Sequence, residues 1–155
     1  MSGPIAKRPL ESLFELVTDR WTDPFWQAAR ERRLVAARCA SCGRFRMPPG
    51  PFCPDCLSQE IEWPTLSGRG SVYSFTIVAR AIFPAMEECI PYVPALIELP
   101  DAQGIRLITN IVDVPIDGIT VGAEVEVVWD ERADGVVVPR FTLVGNGRTD
   151  EGRRA

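Results

Sequence analysis

The chain has 155 residues and carries 17 basic against 21 acidic side chains, which gives a formal net charge of −4. It contains no histidine and a single lysine, Lys7. Imidazole acid–base catalysis, Ser-His or Cys-His nucleophiles and histidine-ligated catalytic zinc are therefore excluded. With 46% hydrophobic and 25% charged residues the composition is globular, and the acidic balance disfavours duplex nucleic acid as a partner.

Neither a membrane span nor a secretory leader is predicted. The longest uncharged stretch, residues 70–79, is half the length of roughly 20 apolar residues that crosses a bilayer. The first 14 residues include an acidic side chain and lack the apolar run of a signal peptide. We therefore expect a cytoplasmic protein.

Two short helices are predicted before the first cysteine. Apolar residues recur at helical spacing over residues 9–20. A second helix begins after Thr22 or Asp23, either of which can cap it, and presents Phe25 and Trp26 on one face. These two aromatic side chains either pack on the rest of the chain or dock on a partner.

Four of the five cysteines form two CxxC pairs, Cys39 with Cys42 and Cys53 with Cys56, separated by ten residues. This spacing indicates one tetrahedral zinc, because two tight turns that face each other supply four thiolates. A redox motif or two disulfides are the alternatives, but a redox CxxC would occur once and disulfides suit a secreted chain. Since the protein fills all four positions, the predicted zinc is structural.

The residues around the cysteine pairs fit the same interpretation. Gly43 follows the second ligand, where a positive φ is commonly needed. Arg38, Arg44 and Arg46 can offset the net charge of about −2 that four thiolates leave on one zinc. The fifth cysteine, Cys89, has no base to activate it, so no catalytic residue is predicted.

The sequence predicts a mainly β fold: N-terminal helices, a four-cysteine zinc ribbon and a five-stranded barrel, for which a Greek-key OB-fold is the simplest choice. Short ribbon strands are predicted at 34–38, 45–47 and 61–66, and barrel strands at 71–79, 93–99, 105–112, 123–130 and 136–143. The predicted units are an N-terminal helical segment at 1–33, the ribbon at 34–68, the barrel at 69–145 and a disordered tail at 146–155.

The longest connection of the barrel, residues 80–92, is unusually apolar for a loop. It either folds back over the end of the barrel or lies against a partner. In the second case the predicted contacts are Ile82, Phe83, Met86 and Tyr92, together with Phe25 and Trp26 of the second helix.

Several motifs occur in a recognisable order: RLVAARC-ASC-GRFRMPPGPFC-PDC, then EWPTLSGRGSVYSFTIV, PYVPALIELPDAQGIRLITNIV, VGAEVEVVW and PRFTL. This order resembles the DUF35 family, in which a rubredoxin-like zinc ribbon precedes an acyl-CoA-associated OB-fold. The resemblance runs from about residue 23 to residue 144.

The resemblance implies a hetero-oligomer with a thiolase-like enzyme, often of the sterol-carrier-type lipid-transfer class. In such a complex the chain is a non-catalytic subunit, and the complex forms or cleaves carbon–carbon bonds in acyl-CoA, as in steroid side-chain retro-aldol cleavage, thiolysis or acyl transfer. Because arginine binds phosphate bidentately, Arg69, Arg80 and Arg106 are candidate acyl-CoA contacts. Two alternatives are a module that binds single-stranded nucleic acid and a stand-alone acyl-CoA carrier.

Overall fold

Short β-rich runs form two separate sheets in the computed structural model, which describes residues 3–12 and 15–145. The predicted mainly β fold, with a ribbon followed by a five-stranded barrel, is confirmed. No helix in these described residues is long and apolar enough to cross a membrane. The elements are α1 (Asp23–Arg30), the ribbon strands β1 (Ala37–Cys39), β2 (Phe45–Arg46) and β3 (Ile61–Glu62), and the barrel strands β4 (Arg69–Phe75), β5 (Val93–Leu99), β6 (Ile105–Ile111), β7 (Glu124–Glu131) and β8 (Val137–Leu143).

The ribbon is a three-stranded antiparallel sheet with β1 between β2 and β3. Ala37 and Cys39 of β1 are buried, whereas Arg38 between them is partly exposed and donates to Glu62 on β3 at 2.6 Å. Side chains alternate between the two faces of a strand, so β1 directs Cys39 to the protected face.

The barrel is closed in the order β4-β5-β6-β8-β7. Its neighbouring strands are antiparallel except β6 and β8, which are parallel. Strand β5 alternates strictly, with Val93, Ala95, Ile97 and Leu99 buried in the core and the residues between them partly exposed. Such alternation fills the interior of a small barrel with aliphatic side chains.

The N-terminal segment does not form the helix predicted over residues 9–20. Its described residues, 9–12 and 15–20, contain no helix. Residues 3–12 are instead an arm along the barrel: Ala6 is fully buried, its N–H donates to the Val114 carbonyl at 2.8 Å, and Lys7 forms a bridge with Tyr92. Helical spacing alone could not reveal that the backbone of residues 5–7 forms hydrogen bonds with the barrel.

An ionic network that is buried only on the barrel side links this arm to the barrel. Arg8 donates to both carboxylate oxygens of Asp113, at 2.9 and 2.8 Å, and to the buried Asp130 at 2.9 Å. From the barrel side, Arg140 donates to Asp130 at 3.2 Å and to Asn110 at 2.6 Å. The Asp113 hydrogen bond raises the pKa of Arg8, whereas burial lowers the pKa of Arg140.

The predicted end of the first barrel strand differs from the structure, and the predicted disordered tail lies outside the described residues. Strand β4 ends at Phe75 rather than at residue 79, and beyond it Val78 forms only an isolated bridge with Tyr92. The connection that follows contains a 3-10 turn at Pro84–Cys89. The predicted disordered tail, 146–155, lies outside the described residues.

Candidate metal centre and barrel groove

The four cysteine sulfurs of the two CxxC pairs converge on one point. All lie within 4.8 Å of one another, with 3.5 Å between the Sγ atoms of Cys39 and Cys56 and 3.5 Å between those of Cys42 and Cys53. A tetrahedral zinc about 2.3 Å from each sulfur requires sulfurs about 3.8 Å apart. The donor set therefore fits one zinc, and these four residues would hold it.

The two cysteine turns are built alike. In the first, the Gly43 N–H donates to the Cys39 carbonyl at 2.9 Å, and in the second the Leu57 N–H donates to the Cys53 carbonyl at 3.0 Å. Gly43 has φ +77° and Leu57 has φ +62°. The positive φ predicted at Gly43 is confirmed, and the same conformation occurs at a leucine in the second turn.

The four thiols cannot all ionise side by side without a cation. The backbone N–H of Cys42 lowers the pKa of Cys39 to about 6. The backbone N–H of Arg44 favours the Cys42 thiolate, but contact with the Cys53 sulfur and burial outweigh it and raise the pKa of Cys42 to about 12. In the other turn the backbone N–H of Cys56 lowers the pKa of Cys53. The backbone N–H of Ser58 favours the Cys56 thiolate, but contact with the Cys39 sulfur and burial outweigh it and raise the pKa of Cys56. A divalent metal supplies the positive charge that stabilises all four thiolates.

Two of the three arginines near the cysteines form ion pairs with carboxylates. Arg38 is paired with Glu62 at 2.6 Å and Arg44 with Asp55 at 2.9 Å, so carboxylates already balance these two charges. Arg46 is buried, and none of its three guanidinium nitrogens has a hydrogen-bond partner within the described ranges. The sequence prediction that all three offset the thiolate charge is corrected for Arg38 and Arg44.

A groove of about 540 Å³ lies between α1, the loop after β2 and the outer face of the barrel. Its apolar walls include Trp26 of α1, Met47 and Pro48 of the loop, and Leu96 and Ile108 of the barrel. A concave, mainly apolar surface of this size is typical of a binding site.

Two arginines are the charged residues of this groove. The Arg106 guanidinium lies 3.5 Å from the centre of the Tyr73 ring and 3.5 Å from Glu98. Arg140 belongs to the ionic network that holds the N-terminal arm. The groove thus combines an apolar surface with guanidinium groups.

The three arginines predicted to contact acyl-CoA do not line one common hollow. Arg106 lines the groove, whereas Arg69 lies in a separate depression whose lining includes the carboxylates of Glu98 and Asp101. Arg80 is exposed in the connection between β4 and β5. Nearby carboxylates make the surroundings of Arg69 unfavourable for a phosphate.

The six residues predicted to contact a partner differ in how far they are buried. Phe25 and Met86 are buried within the chain, which corrects their assignment to a partner surface. Trp26 is partly buried in the groove and Tyr92 is partly buried beside Val78. Of the loop residues, Ile82 is 83% and Phe83 is 39% exposed.

Sequence reasoning missed the groove, including Arg140, Met47 and Ile108. The one signal for it was an isoleucine at an outward position of β6, between the buried residues Leu107 and Thr109. The other groove residues are far apart in the sequence, so only the folded chain brings them together.

Comparisons with known proteins agree with this architecture. The family model described as "ChsH2, rubredoxin-like zinc ribbon domain" matches residues 26–62, and that described as "ChsH2, C-terminal OB-fold domain" matches residues 63–130. A "DUF35 domain-containing scaffold protein" of Methanocaldococcus jannaschii is 34% identical over 79% of this chain and 89% of its own length. Among solved structures, a chain of the "Ltp2-ChsH2(DUF35) aldolase" has a TM-score of 0.75 and 38% identity, covering 83% of this chain and 98% of that chain.

Two larger relatives match over part of their length. The "Probable enoyl-CoA hydratase alpha subunit" of Thermomonospora curvata is 43% identical over 76% of this chain. The "3-oxo-4,17-pregnadiene-20-carboxyl-CoA hydratase alpha subunit" of Mycobacterium tuberculosis is 28% identical over 76% of this chain. In both cases the chain spans 36% of the relative's length.

Proposed function

Because the chain belongs to the DUF35 family, we propose that it is the zinc-binding, non-catalytic subunit of a complex with a thiolase-like enzyme of the lipid-transfer class. The complex forms or cleaves carbon–carbon bonds in acyl-CoA substrates. The observation that carries this proposal is the match of the chain to nearly the full length of the DUF35 chain of an aldolase.

The residues available to the chain support a role without its own catalysis. The sequence contains no histidine, and four cysteines converge on the metal site. The charged groups of the groove are arginines, which stay protonated and cannot act as general bases. Cys89, the remaining thiol, is partly buried and has no imidazole to activate it.

Zinc would have a structural role at this site. Cys39, Cys42, Cys53 and Cys56 would fill all four positions of a tetrahedral ion, leaving none for water or substrate. The loop between the two cysteine turns supplies Met47 and Pro48 to the groove. An ordered ribbon therefore also fixes one wall of that groove.

A finer part of the proposal concerns the substrate. The pregnadiene-carboxyl-CoA named for the M. tuberculosis relative and the aldolase named for the solved relative favour retro-aldol cleavage of a steroid acyl-CoA. Arg80 and Arg106 are our candidates to contact the CoA phosphates, because both are solvent-accessible guanidinium groups. Arg69 is the third candidate, and it shares the nearby Glu98 carboxylate with Arg106.

We further propose that the loop at residues 80–92 contacts the partner through Ile82 and Phe83, the exposed apolar side chains described above. The test is co-expression of the tagged chain with the thiolase-like subunit, comparing wild type with Phe83→Asp. We expect wild type to co-purify with the enzyme and Phe83→Asp to stay folded and zinc-loaded while losing at least about tenfold in affinity, because aromatic anchors carry much of the binding energy of an interface.

Val121→Asp is the matched control, because Val121 is 68% exposed in the turn before β7. It should bind as wild type does. Failure of the wild-type chain to bind any thiolase-like enzyme contradicts the proposed function. Normal binding by Phe83→Asp contradicts only the assignment of the loop to the interface.

A further inference from the structure

The loop at residues 80–92 is held to the rest of the chain by few contacts. Met86 is its single buried residue. Between residues 80–91 and the other described residues there are two hydrogen bonds, and Lys7 of the N-terminal arm donates both. Its backbone N–H donates to the Pro91 carbonyl at 2.9 Å, and its Nζ donates to the Glu88 carbonyl at 3.2 Å. A segment with so little burial opens at a low free-energy cost, so these two bonds matter for its order.

The arm, by contrast, is fixed to the barrel on both sides of Lys7. On one side Ala6 is fully buried, and its backbone exchanges hydrogen bonds of 2.8 and 2.9 Å with residues 113–114, just after β6. On the other side Arg8 forms its ion pairs with two aspartates, at 2.8 and 2.9 Å. These neighbours determine where Lys7 lies, and Lys7 in turn contacts the loop.

We propose that the N-terminal arm positions the loop for docking on the thiolase-like subunit, with Lys7 as the positioning residue. By holding two carbonyls of the loop, Lys7 favours the conformation that presents Ile82 and Phe83. A loop that is already ordered loses less conformational entropy when it binds. The inference rests on the proposed docking of this loop and adds the element that orders it.

The position of the arm in the sequence separates it from the two units that the family models describe. Those models match residues 26–62 and 63–130, whereas the arm is residues 3–12. The ribbon and the barrel can therefore be compared with relatives directly, but the ordering of the loop by the arm has to be tested on this chain.

The first test needs no partner. Hydrogen exchange is measured by mass spectrometry on the zinc-loaded full chain, for wild type, Lys7→Met and Lys7→Arg. Methionine keeps the aliphatic stem without the donor, so peptides covering residues 80–92 should exchange at least about threefold faster. Lys7→Arg keeps a cationic donor and should restore most of the protection. Lys7 is exposed, so all three proteins should have the same zinc content and equal protection of β5 and β6.

Two more variants separate positioning by the arm from a local effect. Arg8 bonds to aspartates outside the loop, so Arg8→Gln can change exchange of the loop only through the arm, and we expect an increase of about twofold or more. Glu88→Gln is the matched control, because it keeps the backbone carbonyl that Lys7 contacts. Its loop should exchange as in wild type.

The second test is the affinity of each protein for the thiolase-like subunit, measured by biolayer interferometry. Lys7→Met should bind about two- to fivefold more weakly, because the competent loop conformation is less populated, and Lys7→Arg should bind nearly as wild type does. Unchanged loop exchange in Lys7→Met overturns the inference, as does faster exchange with unchanged affinity, and both results leave the proposed function standing. A wild-type chain that binds no thiolase-like subunit overturns the proposed function and the docking role of the arm together.

Discussion

The cysteine turns depend on one backbone conformation at one residue each. Gly43 and Leu57 hold equivalent positions after the second cysteine of each turn, and both have positive φ. The sequence predicted the conformation of Gly43, because glycine adopts positive φ without a Cβ clash. It could not predict that of Leu57, because leucine favours negative φ and only the closing of the second turn imposes the other value.

We expect Gly43→Ala to weaken zinc binding. A Cβ at residue 43 would have no atom within 4 Å, so the cost is conformational, about 1–2 kcal/mol for a left-handed alanine. Because folding of the ribbon is coupled to metal binding, this cost corresponds to about 5- to 30-fold lower apparent zinc affinity in a chelator competition assay.

Gly50→Ala is the control for this prediction. Residue 50 also has space for a Cβ, and its φ lies outside the left-handed region, so its zinc affinity should match wild type. Equal affinities for the Gly43 and Gly50 variants would show that the turn does not need the left-handed conformation.

At the scale of elements, the ribbon and the barrel differ in how they are stabilised. The ribbon strands are two or three residues long, whereas the barrel strands are seven or eight residues long and enclose an aliphatic core. The barrel strands were predictable because β-branched and apolar runs are punctuated by glycine and proline. The helix predicted at residues 9–20 is absent from the described residues 9–12 and 15–20, and the preceding residues 5–7 pair with distant barrel residues.

Removing the metal should therefore unfold the ribbon and spare the barrel. After treatment with a strong chelator, we expect rapid hydrogen exchange over residues 39–60 and continued protection of β5, β6 and β8, with protection of the ribbon restored by added zinc. Mass spectrometry of exchanged peptides measures this. Ribbon peptides that stay protected in metal-free protein would mean that zinc is not what stabilises this unit.

At the scale of the whole molecule, the order of units was predictable and the surface between them was not. Two CxxC pairs followed by five strands specify a ribbon and a barrel, since each unit has a local pattern of its own. The groove requires α1, the loop after β2 and three barrel strands to lie side by side. Contacts between units so distant in the sequence leave no periodic signal, so neither the groove nor Arg140 at its surface was anticipated.

We propose that the chain supports catalysis by a partner and performs none itself. The most direct test is acyl-CoA turnover by the chain alone, by the thiolase-like subunit alone and by the two mixed, with Cys89→Ala included as a variant of the chain. We expect turnover only in the mixture, and within about tenfold of wild type for Cys89→Ala, because a nucleophilic cysteine would cost orders of magnitude. Turnover by the isolated chain, or full activity of the thiolase-like subunit without it, would contradict the account.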